Sequence, residues 1–124
     1  MKNILIVDDA AMVRRYYRDV LEAAGFAVDE AINGIEGIEA THRRQYDLLC
    51  VDVNMPLMDG YTMIRNLRAE ARTQHIPAVM ISTETQSHDA TRAYEAGANL
   101  YLPKPVTPRE LVTLCTLLCG EAVA

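Results

Sequence analysis

Nowhere in this 124-residue chain does an apolar run approach the length needed to cross a bilayer. Basic residues are too few to outweigh the acids: the net charge of -5 argues against nucleic acid or an anionic membrane as the main partner. That balance does leave room for a locally acidic pocket that wants a cation. A secretory leader is missing, because after Met1-Lys2-Asn3 the apolar run stops at Val7 and meets two aspartates. Cysteines number only three. Cys50 falls inside an apolar run, and Cys115 and Cys119 are four apart on an expected helix. With no further Cys or His near them in sequence, they read as small buried hydrophobes in a reducing, cytoplasmic setting. His42, His75 and His88 likewise lack ligand spacing and read as surface residues. Internal repeats, low-complexity segments and linkers are absent too. Half the residues are hydrophobic and 23% are charged, as expected for one soluble domain over 1–124, with nothing over for an effector domain.

What is present alternates strictly. Asn3 to Val7 is a buried-strand pattern stopped by Asp8-Asp9. Val13, Tyr16, Tyr17, Val20, Leu21 and Ala24 recur at helical spacing, with Gly25 closing the segment. Phe26 to Ile32 alternates weakly, as an edge strand does, and Asn33-Gly34 reads as a turn. Ile35 and Ile38 open a short helix running to about Arg44. Leu48 to Val51 reads as a strand buried on both faces and ends at Asp52, where Asn54, Pro56 and Asp59-Gly60 mark a loop. Met63, Ile64, Leu67 and Ala71 give a third helical stripe, with Arg65, Arg68 and Arg72 outward. Ala78 to Ile81 is another buried run, ending in Ser82-Thr83-Glu84. Ala90, Ala93, Tyr94 and Gly97 are spaced as the inner face of a fourth helix. Asn99 to Leu102 is a fifth short strand before Pro103-Lys104-Pro105. Thr107, Pro108 and Glu110 form a capping-box start, after which Leu111, Leu114, Cys115 and Leu118 face the core. Five β and α units in alternation predict a doubly wound, five-stranded parallel α/β sheet covered by helices on both faces.

Parallel strands share one carboxyl edge, where open α/β sheets place ligands. Four of the five deliver polar residues there: Asp8 and Asp9, Asp52, Ser82, and Lys104. Crowded carboxylates repel by roughly several kcal/mol each unless protonated or neutralised. A hard divalent cation resolves this, and Mg²⁺ suits few carboxylates, retained waters and a phosphate oxygen; Mn²⁺ could substitute. With an ammonium and a hydroxyl beside it, the set makes a phosphoryl site in which one aspartate can be the nucleophile. Asp47 and Asp59 read instead as turn or cap residues.

Asp8-Asp9, Asp52-Val53-Asn54-Met55-Pro56 with Asp59-Gly60, Ser82-Thr83 and Lys104-Pro105 together resemble the receiver domain of two-component response regulators, over the whole chain and in order. The resemblance implies a flavodoxin-like (βα)5 fold with strand order 2-1-3-4-5, in a stand-alone, chemotaxis-regulator-like receiver. It implies that Asp52 takes a phosphoryl group from the phosphohistidine of a sensor kinase or phosphotransfer protein. Asp9, Asp52 and the backbone carbonyl of Asn54 would hold Mg²⁺, with Asp8 helping. Lys104 and Ser82 would contact the phosphoryl oxygens, and Tyr101 would turn inward as a switch. Asn54 and Glu84 occupy positions that tune the acyl-phosphate lifetime. The Lys104-Pro105 bond is expected to be cis. Two departures stand out: Thr83 where the family usually has Ala or Gly, which could hinder access, and Val106 in place of a frequent aromatic. Output would pass to a partner or second copy through the fourth helix (His88, Thr91, Arg92, Glu95), Tyr101, and the fifth helix (Arg109, Val112, Thr113, Thr116).

Three other readings compete with this signalling module, which catalyses only its own phosphorylation and dephosphorylation. A Mg-dependent aspartyl-phosphate hydrolase of the haloacid dehalogenase type also uses a strand-end Asp, but would normally carry an acid where Asn54 stands. A receiver-like scaffold that is never phosphorylated would not need the complete polar set. A flavin-binding protein of similar topology would need a phosphate-cradling loop that this chain does not offer.

Overall fold

A computed structural model of the chain describes residues 1–84 and 86–120. Positions 85 and 121–124 of the expected 1–124 domain lie outside the described residues. The strands are β1 (Asn3–Val7), β2 (Ala27–Ala31), β3 (Leu48–Val51), β4 (Ala78–Ser82) and β5 (Leu100–Pro103). The helices are α1 (Ala11–Ala23), α2 (Gly34–Arg43), α3 (Gly60–Ala69), α4 (Ser87–Ala96) and α5 (Pro108–Cys119). All pairings are parallel and the order is β2-β1-β3-β4-β5, as expected.

The continuous apolar strands resolve into two faces, because successive side chains of a strand point oppositely. Leu5, Val7, Leu49, Val51, Ala78 and Met80 meet Met63, Ile64, Leu67 and Ala93 on the side of α3 and α4. Ile4, Ile6, Leu48, Cys50, Val79 and Ile81 meet Tyr17, Leu21, Leu111 and Cys115 on the side of α1 and α5. The cysteines are free, with Cys50 and Cys115 buried. Those two pack as the small hydrophobes expected of them, whereas Cys119 is half-buried and lies against that core from its margin.

Polar side chains start α2, α3 and α5. The Asn33 side chain accepts the Glu36 N–H at 2.9 Å, so Asn33 caps α2 and Gly34 is its first residue rather than half of a free turn. Gly34 is buried beneath Met58, which leaves no room for a side chain. Asp59 caps α3 through Thr62 N–H at 2.9 Å, and the Thr107–Glu110 capping box starts α5. The Asp47 carboxylate, expected in a turn or cap, instead accepts Asn3 N–H at 2.7 Å and ties the approach of β3 to the start of β1.

Several facing assignments change. α3 ends at Ala69, because the chain turns back and the buried Thr73 hydroxyl donates to Leu67 O at 2.6 Å; Ala71 is exposed. Arg68 is not simply outward: its guanidinium donates to Gly97 O at 2.9 Å and to the Asn99 side chain at 3.1 Å, tying α3 to the approach of β5. On α4 the inner face is Asp89, Ala93 and Ala96, and Tyr94 is exposed. An alanine-rich helix fixes its own rotation weakly, and Asp89 tolerates burial because its carboxylate accepts Gln86 N–H at 3.1 Å. On α5, Val112 packs against the core while Leu114 does not, so Val112 leaves the proposed output face. Val106, expected to leave a packing question, is buried and its carbonyl accepts the Tyr16 hydroxyl at 2.8 Å. An aromatic from α1 thus covers the position where one is missing in the β5–α5 loop.

Candidate functional site

The carboxyl edge is built where β1 and β3 end side by side. Val7 pairs with Val51 in register, so Asp8 and Asp52 emerge as neighbours, and Asp52 N–H donates to Val7 O at 2.8 Å. The loop after Asp52 folds back until Gly60 N–H reaches Val53 O at 2.9 Å. A Cβ on Gly60 would collide with the Asp52 carbonyl oxygen, so only glycine lets α3 begin this close to the strand end.

Carboxylate oxygens of Asp8, Asp9 and Asp52 lie within 4.8 Å of one another. Asp8 and Asp52 are buried and Asp9 is exposed, so the cluster opens to solvent on one side. Lys104 Nζ donates to Asp8 Oδ2 at 2.9 Å and to Asp52 Oδ1 at 3.3 Å. The Lys104-Pro105 peptide that follows is cis, as expected. Asp8 Oδ1 accepts Ala10 N–H at 2.9 Å, which orients the carboxylate at the start of α1.

The charges disagree with one another, and that shows in the titration of Asp52. Burial and the Asp8 carboxylate push its pKa up to about 6, with Lys104 opposing them. Burial works against the Lys104 ammonium, but its bond to Asp8 and the charges of Asp52 and Asp8 outweigh burial and raise its pKa. One ammonium shared between two carboxylates leaves a site still short of positive charge. A hard cation that keeps several waters and takes few carboxylates fits that donor set.

A second polar group lies at the end of β4, where Ser82 O accepts Lys104 N–H at 2.7 Å. The buried Ser82 Oγ accepts Glu84 N–H at 3.0 Å, and Glu84 O accepts the Tyr101 hydroxyl at 2.6 Å. The Asn54 side chain donates to Glu84 Oε1 at 2.8 Å. Glu84, expected only as a tuning residue, therefore links Ser82, Tyr101 and Asn54, while Thr83 is exposed beside it. Tyr101 is half-buried, and burial raises its hydroxyl pKa while Ser82 acts against the rise. Sequence reasoning missed Arg14, whose guanidinium donates to Asp8 O at 2.7 Å and pairs with Glu30 at 2.9 Å. No spacing signals it, because the contact depends on how α1 is turned against β2.

Residues 4–116 match the family described as the response regulator receiver domain. The chain belongs to that family. The transcriptional regulatory protein ResD of Bacillus subtilis (strain 168) is 38% identical over 120 residues, covering 97% of this chain and 49% of its own length. The chemotaxis protein CheY of Pseudomonas aeruginosa is 37% identical over 110 residues, covering 88% of this chain and 89% of CheY. Thus the chain spans about half the length of several curated relatives that it matches, 49% for ResD, and nearly all of a chemotaxis regulator. Among solved structures, the receiver domain of sensor histidine kinase PA1611 from Pseudomonas aeruginosa PAO1 superposes with a TM-score of 0.89 at 27% identity, covering 97% of this chain and 98% of that one; its magnesium ion is coordinated in the active site cleft. Receiver domains are signalling modules of two-component systems, not classical enzymes; they interact with histidine kinases or phosphotransfer proteins and bind Mg²⁺ at an acidic pocket. In this receiver domain the acidic cluster stands at the carboxyl ends of β1 and β3, and no described helix is long and apolar enough to cross a membrane.

Proposed function

We propose that Asp52 is the phosphoacceptor of a receiver domain spanning 1–124, working in the cytoplasm and charged by the phosphohistidine of a sensor kinase or phosphotransfer protein. The observation that carries this is the gathering of Asp8, Asp9 and Asp52 within 4.8 Å, with Lys104 reaching two of them. An Asp52 carboxylate oxygen attacks phosphorus, the P–N bond breaks, and its electron pair returns to the donor imidazole. Asp8, Asp9, Asp52 and the Asn54 backbone carbonyl would hold Mg²⁺, with Mn²⁺ able to replace it. That ion, when bound, offsets the charge of the phosphoryl oxygens. Lys104 supplies the ammonium for one of those oxygens and Ser82 a hydroxyl for another.

The hydrogen bonds through Glu84 support a switching role for Ser82 and Tyr101. A Ser82 hydroxyl drawn to the phosphoryl group releases Glu84 N–H, and the Glu84 carbonyl carries that movement to the Tyr101 hydroxyl. Tyr101 lies on β5 between the outer faces of α4 and α5, the surface offered to a downstream protein or a second copy. Asn54, Thr83 and Glu84 border the site and set how readily water reaches the acyl phosphate.

The test is incubation with acetyl phosphate and Mg²⁺, followed by intact-mass measurement and peptide mapping. One phosphoryl group per chain on Asp52, absent from Asp52→Asn, is the expected result. No labelling would make the protein a receiver-like scaffold. Sustained turnover of small phosphate esters would make it a hydrolase.

A further inference from the structure

At the opposite, amino-terminal edge of the sheet lies a cleft of about 280 Å³. Its walls come from three places: the end of α2, the loop into β3, and the connection from α3 to β4. Three arginines and two histidines line it, against one carboxylate, Asp47, which is already engaged by Asn3 N–H. In a chain with 17 acids and 12 Lys plus Arg, that is a strong local reversal of sign.

Ordinary structural reasons explain part of this. Cations are favoured at a helix C-terminus, which accounts for His42 and Arg43 at the end of α2. Arg44 pairs with Asp29 at 3.1 Å, and His42 lies 3.4 Å from Glu70. Those reasons do not cover Arg72 and His75, which arrive from the α3–β4 connection. Arg72 spends one N–H on Thr41 O at 2.8 Å, which pins its guanidinium at the rim. A guanidinium has five such donors, so most of its fork stays open. Among the described residues Arg43, Arg72 and His75 form no ion pair. The floor is rigid: Tyr46 is buried with its hydroxyl on Asp29 at 2.7 Å, and Ile76 is buried beside it.

We propose that this cleft binds the chain of a di- or triphosphate, either inorganic or carried by a nucleotide. Planar guanidinium groups from two segments suit phosphate oxygens, and the concave shape with an apolar floor suits a small molecule. The site is separate from the acidic cluster, because its residues precede β3 and β4 whereas Asp52 and Ser82 follow or end them.

The experiment is titration of the full chain, in EDTA, with sodium tripolyphosphate and with ATP, followed by ¹H–¹⁵N NMR and calorimetry. Removing divalent ions keeps anions away from the carboxylate cluster. Saturable one-to-one binding with shifts at residues 41–47 and 72–76 is expected. Arg43→Gln and Arg72→Gln should each weaken it by roughly tenfold or more. Arg43 is exposed with no partner among the described residues, so its variant keeps the fold even if Arg72→Gln loosens α2. Equal affinity for the two probes assigns the site to inorganic polyphosphate, and tighter ATP assigns it to a nucleotide. No binding, binding unaltered in both variants, or equal shifts from sulfate at matched ionic strength overturns the proposal.

Discussion

Replacing Asp52 by asparagine should make the metal-free protein more stable, with a gain that depends on pH. The Asp52 carboxyl is raised from an ordinary 3.8 to about 6 by burial and by Asp8, so at neutral pH the folded state holds a charge it disfavours. The free-energy equivalent of that displacement is about 3 kcal/mol. The sign follows from proton linkage. Between the two values the folded protein binds the proton more tightly than the unfolded chain, so stability falls as pH rises from about 4 to 6. Above about pH 6 the full cost is present, and below the ordinary carboxylate value it is gone. Asparagine lacks the charge, so the 3.3 Å bond from Lys104 is weakened to one with a neutral acceptor, while Lys104 keeps its 2.9 Å partner Asp8. The expected net gain is therefore about 1–3 kcal/mol at pH 7.5. At roughly 4 °C per kcal/mol for a chain of this size, the melting temperature should rise by about 4–12 °C. Urea unfolding of both proteins in EDTA, from pH 4 to 8, reads this directly, and the gain should shrink below about 1 kcal/mol at pH 4. Adding Mg²⁺ should stabilise the unsubstituted protein more than the variant. A variant no more stable at pH 7.5, or a gain that ignores pH, would refute the account of opposed charges.

Gly60→Ala places a methyl against the Asp52 carbonyl oxygen and should cost about 3 kcal/mol or more in urea unfolding; a neutral effect would mean α3 can retreat freely from the strand end. Arg68→Ala removes the bonds to Gly97 O and Asn99 and should destabilise by about 2 kcal/mol, with Arg68→Lys recovering little because one ammonium cannot span both acceptors. Tyr101→Phe deletes the 2.6 Å bond to Glu84 O and should cost about 1 kcal/mol, with faster amide exchange at residues 82–84; unchanged exchange would detach Tyr101 from the Ser82 loop.

The five strands, their parallel direction and the polar residues at their ends were legible because each rests on a local pattern, whereas the order β2-β1-β3-β4-β5 came only with the resemblance to receiver domains. Apolar runs followed by an acid, a serine or a proline-flanked lysine mark four buried strands reaching one edge, and the weak alternation of Phe26 to Ile32 marks β2 at the side of the sheet. Caps at Asp59 and Thr107 were equally local. Facing within helices was less legible. Three alanines and one tyrosine on α4 allow two rotations that differ by one residue, and only the packing of Ala93 and Ala96 against the sheet chose between them.

By itself, the order of residues determined which groups arrive at the carboxyl edge, since alternation of strands and helices forces every strand to end on the same side. Tertiary structure alone decided how they meet: Lys104 between Asp8 and Asp52, Glu84 joining Ser82 to Tyr101, and Arg14 against the Asp8 carbonyl. It also gathered Arg43 and Arg72 at the far end. The physical reason is range. Hydrophobic periodicity and capping act over a few neighbours in the chain, whereas charge pairing acts between groups brought close only after the helices have been turned and packed.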